Sequence, residues 1–250
     1  MPSIHAANTL LRVQQLVIAS REKTLVNGVS FALDAGQTLA IVGESGSGKS
    51  LSLLAVMGLL APTLQQTGSI MLGDQSLSEL HGQPDHPLWR QVRGKRIAMI
   101  FQEPMTSLNP VFTIGYQIEE VIKTHQNLAS KERKEKVLDI LHLVGIPDPA
   151  SKYHQYPHEI SGGQKQRIVI ACAIACDPDL LIADEPTTAL DVTIQKQVLD
   201  LLLSIQEKQK MSMIFIMNKT IENADFFIKL SKRLGDSIYF DDVRVTVKRY

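Results

Sequence analysis

Four stretches of this chain carry residue types that can do chemistry. The first, residues 43–50, reads Gly43-Glu44-Ser45-Gly46-Ser47-Gly48-Lys49-Ser50. It fits the phosphate-loop pattern G-x-x-x-x-G-K-[ST] at every fixed position. Glycines at 43, 46 and 48 let the backbone turn tightly, so that successive N–H groups can point at phosphate oxygens. A helix starting near Lys49 would add its positive N-terminal dipole. Lys49 then supplies a point charge for β- and γ-phosphates, and the Ser50 hydroxyl a ligand for Mg²⁺. A glycine-rich turn that binds nothing is the plain alternative, and it leaves the fit of the whole pattern unexplained.

The second stretch is the pair Asp184 and Glu185, at the end of the apolar run Leu180-Leu181-Ile182-Ala183. A carboxylate there can hold Mg²⁺ directly or through water, and its neighbour can polarise an attacking water. The plain alternative is a solvated strand end. The third is Gln102, just past the apolar run 96–101. A polar residue at the C-terminal end of a strand in an α/β sheet points into the ligand crevice, a weak signal by itself. The fourth is Ser161-Gly162-Gly163-Gln164, opening a helix that runs to about residue 175. Small residues and unpaired N–H groups make such a start an anion site. A simple N-cap by Ser161 accounts for the same residues, and both readings stand.

These groups need elements to position them. Residues 38–42, Thr-Leu-Ala-Ile-Val, read as a buried parallel strand before the phosphate loop. Leu51, Leu54, Ala55 and Gly58 recur after it at helical spacing. Residues 11–18 and 29–33 read as strands, with Asn27-Gly28 as the turn between them and Asp34-Ala35-Gly36 as the next turn. Residues 67–74 give a further edge strand and turn, and 82–87 a surface loop. The run 96–101 is a buried strand that Pro104 stops. From residue 113 to about 157 the pattern is helical. Val137, Ile140, Leu141 and Val144 form a stripe at i, i+3, i+4 and i+7, and the charged run 131–136 is a solvated helix face. Gly145-Ile146-Pro147 ends that helix. Ile194, Val198, Leu201, Leu202 and Ile205 predict an amphipathic helix, and 213–217 a last buried strand.

Composition excludes several classes. A chain of 250 residues with 44% hydrophobic and 21% charged residues is an ordinary globular chain. Formal net charge is zero, so no electrostatic argument favours nucleic acid. Cys172 and Cys176, four apart in an apolar helical stretch, read as two small core residues in a reducing compartment rather than as a metal or redox pair. No apolar run reaches the roughly 18–20 residues that span a bilayer. The first residues lack the charged region and long apolar core of a secretory leader. Any membrane role must go through partners.

Taken together, the phosphate loop, FQEPMTSLNP (101–110), ISGGQKQR (160–167) and LLIADEPTTALD (180–191) resemble an ABC-transporter ATPase subunit in order and spacing. FQEPMTSLNP, YPHEISGGQKQR and DEPTTALDVTIQ look like the dipeptide/oligopeptide importer subfamily, and the likeness covers about residues 10–217. The resemblance implies a P-loop NTPase (RecA-like) α/β fold in one domain, residues 1–250. It has a mostly parallel sheet core, an antiparallel β edge, and an inserted helical subdomain at about residues 105–175. It implies ATP and Mg²⁺ as ligands, with Ser50, Gln102 and Asp184 at the metal and Glu185 as general base. By the same resemblance Gln102 would also sense the transmembrane partner. Ser161 to Gln164 would contact the γ-phosphate bound by a second ATPase subunit, identical or not, and Asp191 would lie at that interface. Further implied partners are permease subunits and, indirectly, a solute-binding protein, at the cytoplasmic face of the inner membrane; nucleic acid is not among them.

Three departures stand out. Neither Ala19 nor Ser20 is the aromatic that stacks on adenine in the family. Ile160 replaces a usual leucine. Asn218 occupies the place of the histidine that contacts the γ-phosphate, which implies impaired hydrolysis. Residues 218–250 show no likeness to the family. They carry a helix candidate at 221–230 and strand candidates at 237–240 and 243–247. Two readings of that end stand: a frameshifted or rearranged gene product, or a divergent subunit.

Overall fold

The computed structural model describes residues 8–102, 107–187, 192–218, 236–241 and 244–249. In chain order the elements are β1 (Thr9–Ala19), β2 (Thr24–Asp34), β3 (Thr38–Gly43), α1 (Lys49–Val56), β4 (Gln65–Leu72), β5 (Gln75–Ser76), α2 (Leu88–Val92) and β6 (Ile97–Ile100). There follow α3 (Ile114–His125), α4 (Ser130–Leu143), α5 (Pro149–Lys152), α6 (Gly162–Ile174), β7 (Leu180–Asp184), α7 (Val192–Gln209), β8 (Ser212–Asn218), β9 (Asp236–Asp241) and β10 (Arg244–Arg249). They divide into two compact units, residues 1–89 with 212–250, and residues 90–211.

In the first unit β2, β1, β4 and β5 form an antiparallel sheet in that order. Alternate residues of β1 and β2 face inward: Leu11, Val13, Leu16, Ile18, Val29, Phe31 and Leu33 are all buried. The Asn27-Gly28 pair is not the turn its sequence predicts. It lies inside β2, where the register slips between Leu16↔Val29 and Ile18↔Val26. Gly28 takes φ 68° there, so the left-handed preference of the pair serves a bulge. The chain reverses instead at residues 20–23. Ser20 N donates to Lys23 O at 2.9 Å, and the Ser20 hydroxyl accepts from the N–H groups of Glu22 and Lys23. Residues 34–36 turn as predicted, with Gly36 at φ 76°.

Around β3 the pairing is parallel on both sides, to β8 and to β9, while β10 returns antiparallel to β9. Leu39 to Val42 are buried, the signature of a strand covered on both faces. Both strand candidates of the C-terminal stretch therefore form strands. The helix candidate 221–230, Pro104 and Asp191 fall outside the described residues. Helix α1 follows the loop as predicted, but its buried face is Ser52, Leu53, Ala55 and Val56 rather than Leu51, Leu54 and Gly58. Gly58 lies beyond the helix, and a Cβ there would sit 2.1 Å from the Trp89 ring.

In the second unit β6 and β7 run parallel, from Ile97↔Leu180 to Ile100↔Ala183. Arg96 Nε bonds Asp179 Oδ2 at 2.9 Å across their starts. Among the described residues no strand interrupts 107–157, as the helical pattern predicts. Val137, Ile140, Leu141 and Val144 form the buried stripe of α4. The charged run on α4 is not wholly solvated. Arg133 Nε donates to Glu119 Oε1 on α3 at 2.9 Å, with both side chains about four-fifths buried (19% and 20% exposed). Tyr153 OH donates to the other oxygen of Glu119 at 2.7 Å. Burial raises the Glu119 carboxyl, but the hydrogen bonds from Tyr153 and Arg133 outweigh it and hold the group below its ordinary value. The buried amphipathic face of α7 comprises Val198, Leu199, Leu202, Leu203 and Ile205, shifted slightly from the predicted stripe.

Candidate functional site

The phosphate loop joins the end of β3 to the start of α1, the strand–loop–helix setting its pattern requires. Gly43 and Lys49 are buried, Glu44, Ser45 and Gly46 exposed, and Ser47, Gly48 and Ser50 half-buried. Two glycines are needed for different reasons. Gly46 has φ 83°, with open space where a Cβ would stand. Gly48 has φ 92°, and a Cβ would lie 2.8 Å from Val26 Cγ2 and 3.0 Å from Leu25 O, so the loop packs directly on β2. Ser47 N closes a turn onto Glu44 O at 3.3 Å. The N–H groups of Ser45, Gly46 and Gly48 donate to nothing among the described residues. The Ser47 hydroxyl is buried and also lacks a partner there. Lys49 is 4% exposed, and its Nζ donates to Gly43 O at 3.0 Å and Glu44 O at 2.6 Å. Unmatched donors around a buried ammonium suit an anion with several oxygens. At the same strand end, Asn218 of β8 and Phe240 of β9 stand in register with Gly43.

The second unit carries the carboxylates. All five residues of β7 are buried, Asp184 to 4% exposure. Glu185, half-buried, leaves the strand at φ 46°, in the left-handed region that costs a non-glycine residue about 1–2 kcal/mol. The parallel register of β6 and β7 brings Gln102 beside it, with Gln102 Nε2 donating to Glu185 Oε2 at 3.4 Å. The structure thus joins two predicted site residues that are 83 positions apart. At the start of α6 the capping reading is realised. Ser161 Oγ accepts from Gln164 N at 3.3 Å, and Gln164 Oε1 accepts from Ser161 N at 3.3 Å. Gly162 and Gly163 follow, half-buried, in the first turn.

One residue of this unit is missed by sequence reasoning. Gln166 is fully buried, and its Nε2 donates to the carbonyl of Pro186 at 2.7 Å. Its signal is a polar side chain one turn before the buried Val169 and Ile170, on an otherwise apolar face. Cys176 is buried and Cys172 half-buried. Burial pushes both thiols up, away from the thiolate that metal binding or nucleophilic attack needs. Among the described residues no group of His, Cys, Asp and Glu is arranged to hold a metal ion by itself.

Comparison with known proteins bears on this arrangement. The family model described as "ABC transporter" matches residues 26–188. The dipeptide transport ATP-binding protein DppD of Haemophilus influenzae is 50% identical over 212 residues, which is 83% of this chain and 63% of that protein. The oligopeptide transport ATP-binding protein OppD of Bacillus subtilis is 48% identical over 213 residues, 83% of this chain and 58% of that protein. The chain therefore spans about 60% of the length of the curated relatives it matches. The dimeric structure of MJ0796, titled a bacterial ABC transporter cassette, superposes with a TM-score of 0.77 over 96% of this chain and 98% of that one, at 23% identity. That likeness establishes the fold class, α/β of the P-loop type with parallel strands and an antiparallel sheet.

Proposed function

The chain belongs to the ABC transporter family, and we propose that it is an ATP-binding and ATP-hydrolysing subunit that powers peptide import across the cytoplasmic membrane. The observation that carries the reading is the loop at residues 43–50, with its unmatched N–H groups around a buried Lys49. The names of the relatives, dipeptide and oligopeptide transport ATP-binding proteins, support the peptide substrate. Among the described residues no helix is long and apolar enough to cross a membrane. In this reading the subunit therefore works at the inner face of the membrane through permease subunits, served in turn by a solute-binding protein.

The mechanism follows from the residues. The loop N–H groups and Lys49 hold the phosphates, with Lys49 Nζ exchanging the carbonyls of Gly43 and Glu44 for phosphate oxygens. Ser50, Asp184 and Gln102 are oxygen donors suited to Mg²⁺, which when bound neutralises phosphate charge. Glu185 takes a proton from water as the water oxygen attacks the γ-phosphorus, and ADP departs with the bridging oxygen. Its hydrogen bond from Gln102 orients the accepting carboxylate. Ser161, Gly162, Gly163 and Gln164 cover the nucleotide held by a second ATPase subunit, so that ATP drives pairing of two such subunits.

One observation favours a slower enzyme within the same reading. Asn218 stands in register with Gly43, the first residue of the phosphate loop. Asparagine donates a neutral hydrogen bond and cannot become cationic as a histidine can. Turnover is then reduced while binding survives.

Reconstitution with the permease subunits in vesicles tests the import role. ATP turnover should rise when a transported peptide is supplied. Turnover indifferent to permease and peptide would sink the import reading, and a chain that binds no ATP would sink the whole assignment.

A further inference from the structure

The geometry points to Gln166 as the residue that positions Glu185. This rests on the reading of Glu185 as general base. Gln166 lies on α6, one turn past the capping residue Ser161, and is fully buried. Its side chain reaches the strand end rather than the α6 surface, and Nε2 donates to Pro186 O at 2.7 Å. Pro186 is the residue directly after Glu185. The orientation of the amide is dictated by chemistry, because a carbonyl can only accept and the NH₂ must face it.

Two features say that this bond is not there for stability. First, the other end of the amide, Oε1, is buried with no hydrogen-bond partner among the described residues. A buried acceptor without a partner costs stability and offsets what the Nε2 bond contributes, so the amide as a whole adds little. Second, Glu185 holds φ 46°, a conformation that persists in a non-glycine residue only where the surroundings impose it. The imposed contacts flank Glu185 on two sides. Gln102 holds its carboxylate at 3.4 Å, and Gln166 holds the carbonyl just beyond its backbone at 2.7 Å. The backbone hold is the shorter and the buried one. It fixes the direction in which the chain leaves β7, and so the direction in which the Glu185 side chain starts. The neighbouring Arg167 anchors the same turn of α6, its Nη1 donating to Val144 O at 2.7 Å at the end of α4. Helix α6 therefore has a fixed seat from which Gln166 can act.

The test is Gln166→Met, which keeps length and volume and removes both amide groups. In the full chain, kcat for ATP should fall by about 10–100-fold, the usual effect of losing a residue that orients a catalytic one. KM should stay within about twofold, and the thermal midpoint within about 4 °C of the parent, since one orphan acceptor is exchanged for another. A crystal structure of the variant should show Glu185 outside the left-handed region. Gln166→Leu serves as a second variant with the same expectations. Unchanged kcat in a parent that hydrolyses ATP overturns the proposal. So does a Glu185 that stays at positive φ, whatever the turnover. Failure of both variants to fold makes Gln166 a packing residue and overturns it as well. If the parent hydrolyses no ATP but Glu185 moves in the variants, the function assigned to Glu185 fails while its positioning by Gln166 stands.

Discussion

Two strand ends carry the candidate site residues of this molecule, and they are built differently. After β3 the candidate groups are mostly the backbone's: N–H donors are presented by a local turn, and the Lys49 side chain is folded back onto the carbonyls of its own loop. After β7 the working groups are side chains, and what holds them comes from far along the chain. Gln102 reaches Glu185 from 83 positions away, and Gln166 reaches Pro186 from 20. The first end draws its phosphate-facing donors from its own eight residues, though it rests on β2. The second depends on the elements around it, and its left-handed Glu185 marks where that dependence is imposed.

Substitutions at each end should therefore fail in different ways. The largest effect belongs to Glu185→Gln. The amide keeps the shape but cannot accept a proton from water, so single-turnover hydrolysis should fall by about 10²–10⁴-fold. Undiminished hydrolysis would remove Glu185 from the mechanism. Next is Asn218→His, which should restore a donor able to carry positive charge beside Gly43. A gain of up to about 10²–10³-fold in turnover follows if one preorganised donor is missing in the parent. A parent already as fast as other family members would show that the strand end after β8 needs no such group.

Smaller effects test the packing. Gly48→Ala places a methyl against Val26 and the Leu25 carbonyl at φ 92°. It should lower stability by about 1–3 kcal/mol in denaturant unfolding. An unchanged midpoint would mean that the loop does not rest on β2. The smallest effect lies away from both strand ends, in the Glu119–Arg133–Tyr153 cluster. The folded Glu119 carboxyl titrates below its ordinary value of 4.5, so its stabilisation is present above that pH and is lost as pH falls below it. Glu119→Gln should lose roughly 1 kcal/mol near neutrality and little in acid. Equal losses at both pH values would deny the carboxylate that role.

The contrast between the ends also explains what could be read from the sequence. The phosphate loop is legible because its conformation is set within eight residues by glycines and one helix start. The same holds for β3, β7, β8 and α4, whose apolar runs or stripes are local patterns. The Asn27-Gly28 pair misled because its preference for positive φ is satisfied equally by a turn or a bulge, and only the pairing of β1 with β2 decides. Helix α1 was legible as a helix, but which of its faces is buried depends on what it packs against. The role of Gln166 was hidden for the same reason. A glutamine in a helix says nothing until the carbonyl it meets is known, and that carbonyl belongs to another element. Ser161 and Gln164 lie between these cases, since the capping box is local while any ligand at that helix start comes from outside the chain.

The most direct test of the division between the two ends is equilibrium binding of radiolabelled Mg-ATP to Lys49→Ala and Glu185→Gln, with the bound nucleotide identified afterwards. Loss of Lys49 should weaken binding by about a hundredfold, or ~2.7 kcal/mol, because it removes the buried cation of the loop. The Glu185 variant should bind as the parent does and yield its label back as ATP. Equal affinity in the parent and in Lys49→Ala, or loss of binding in Glu185→Gln, would contradict the account.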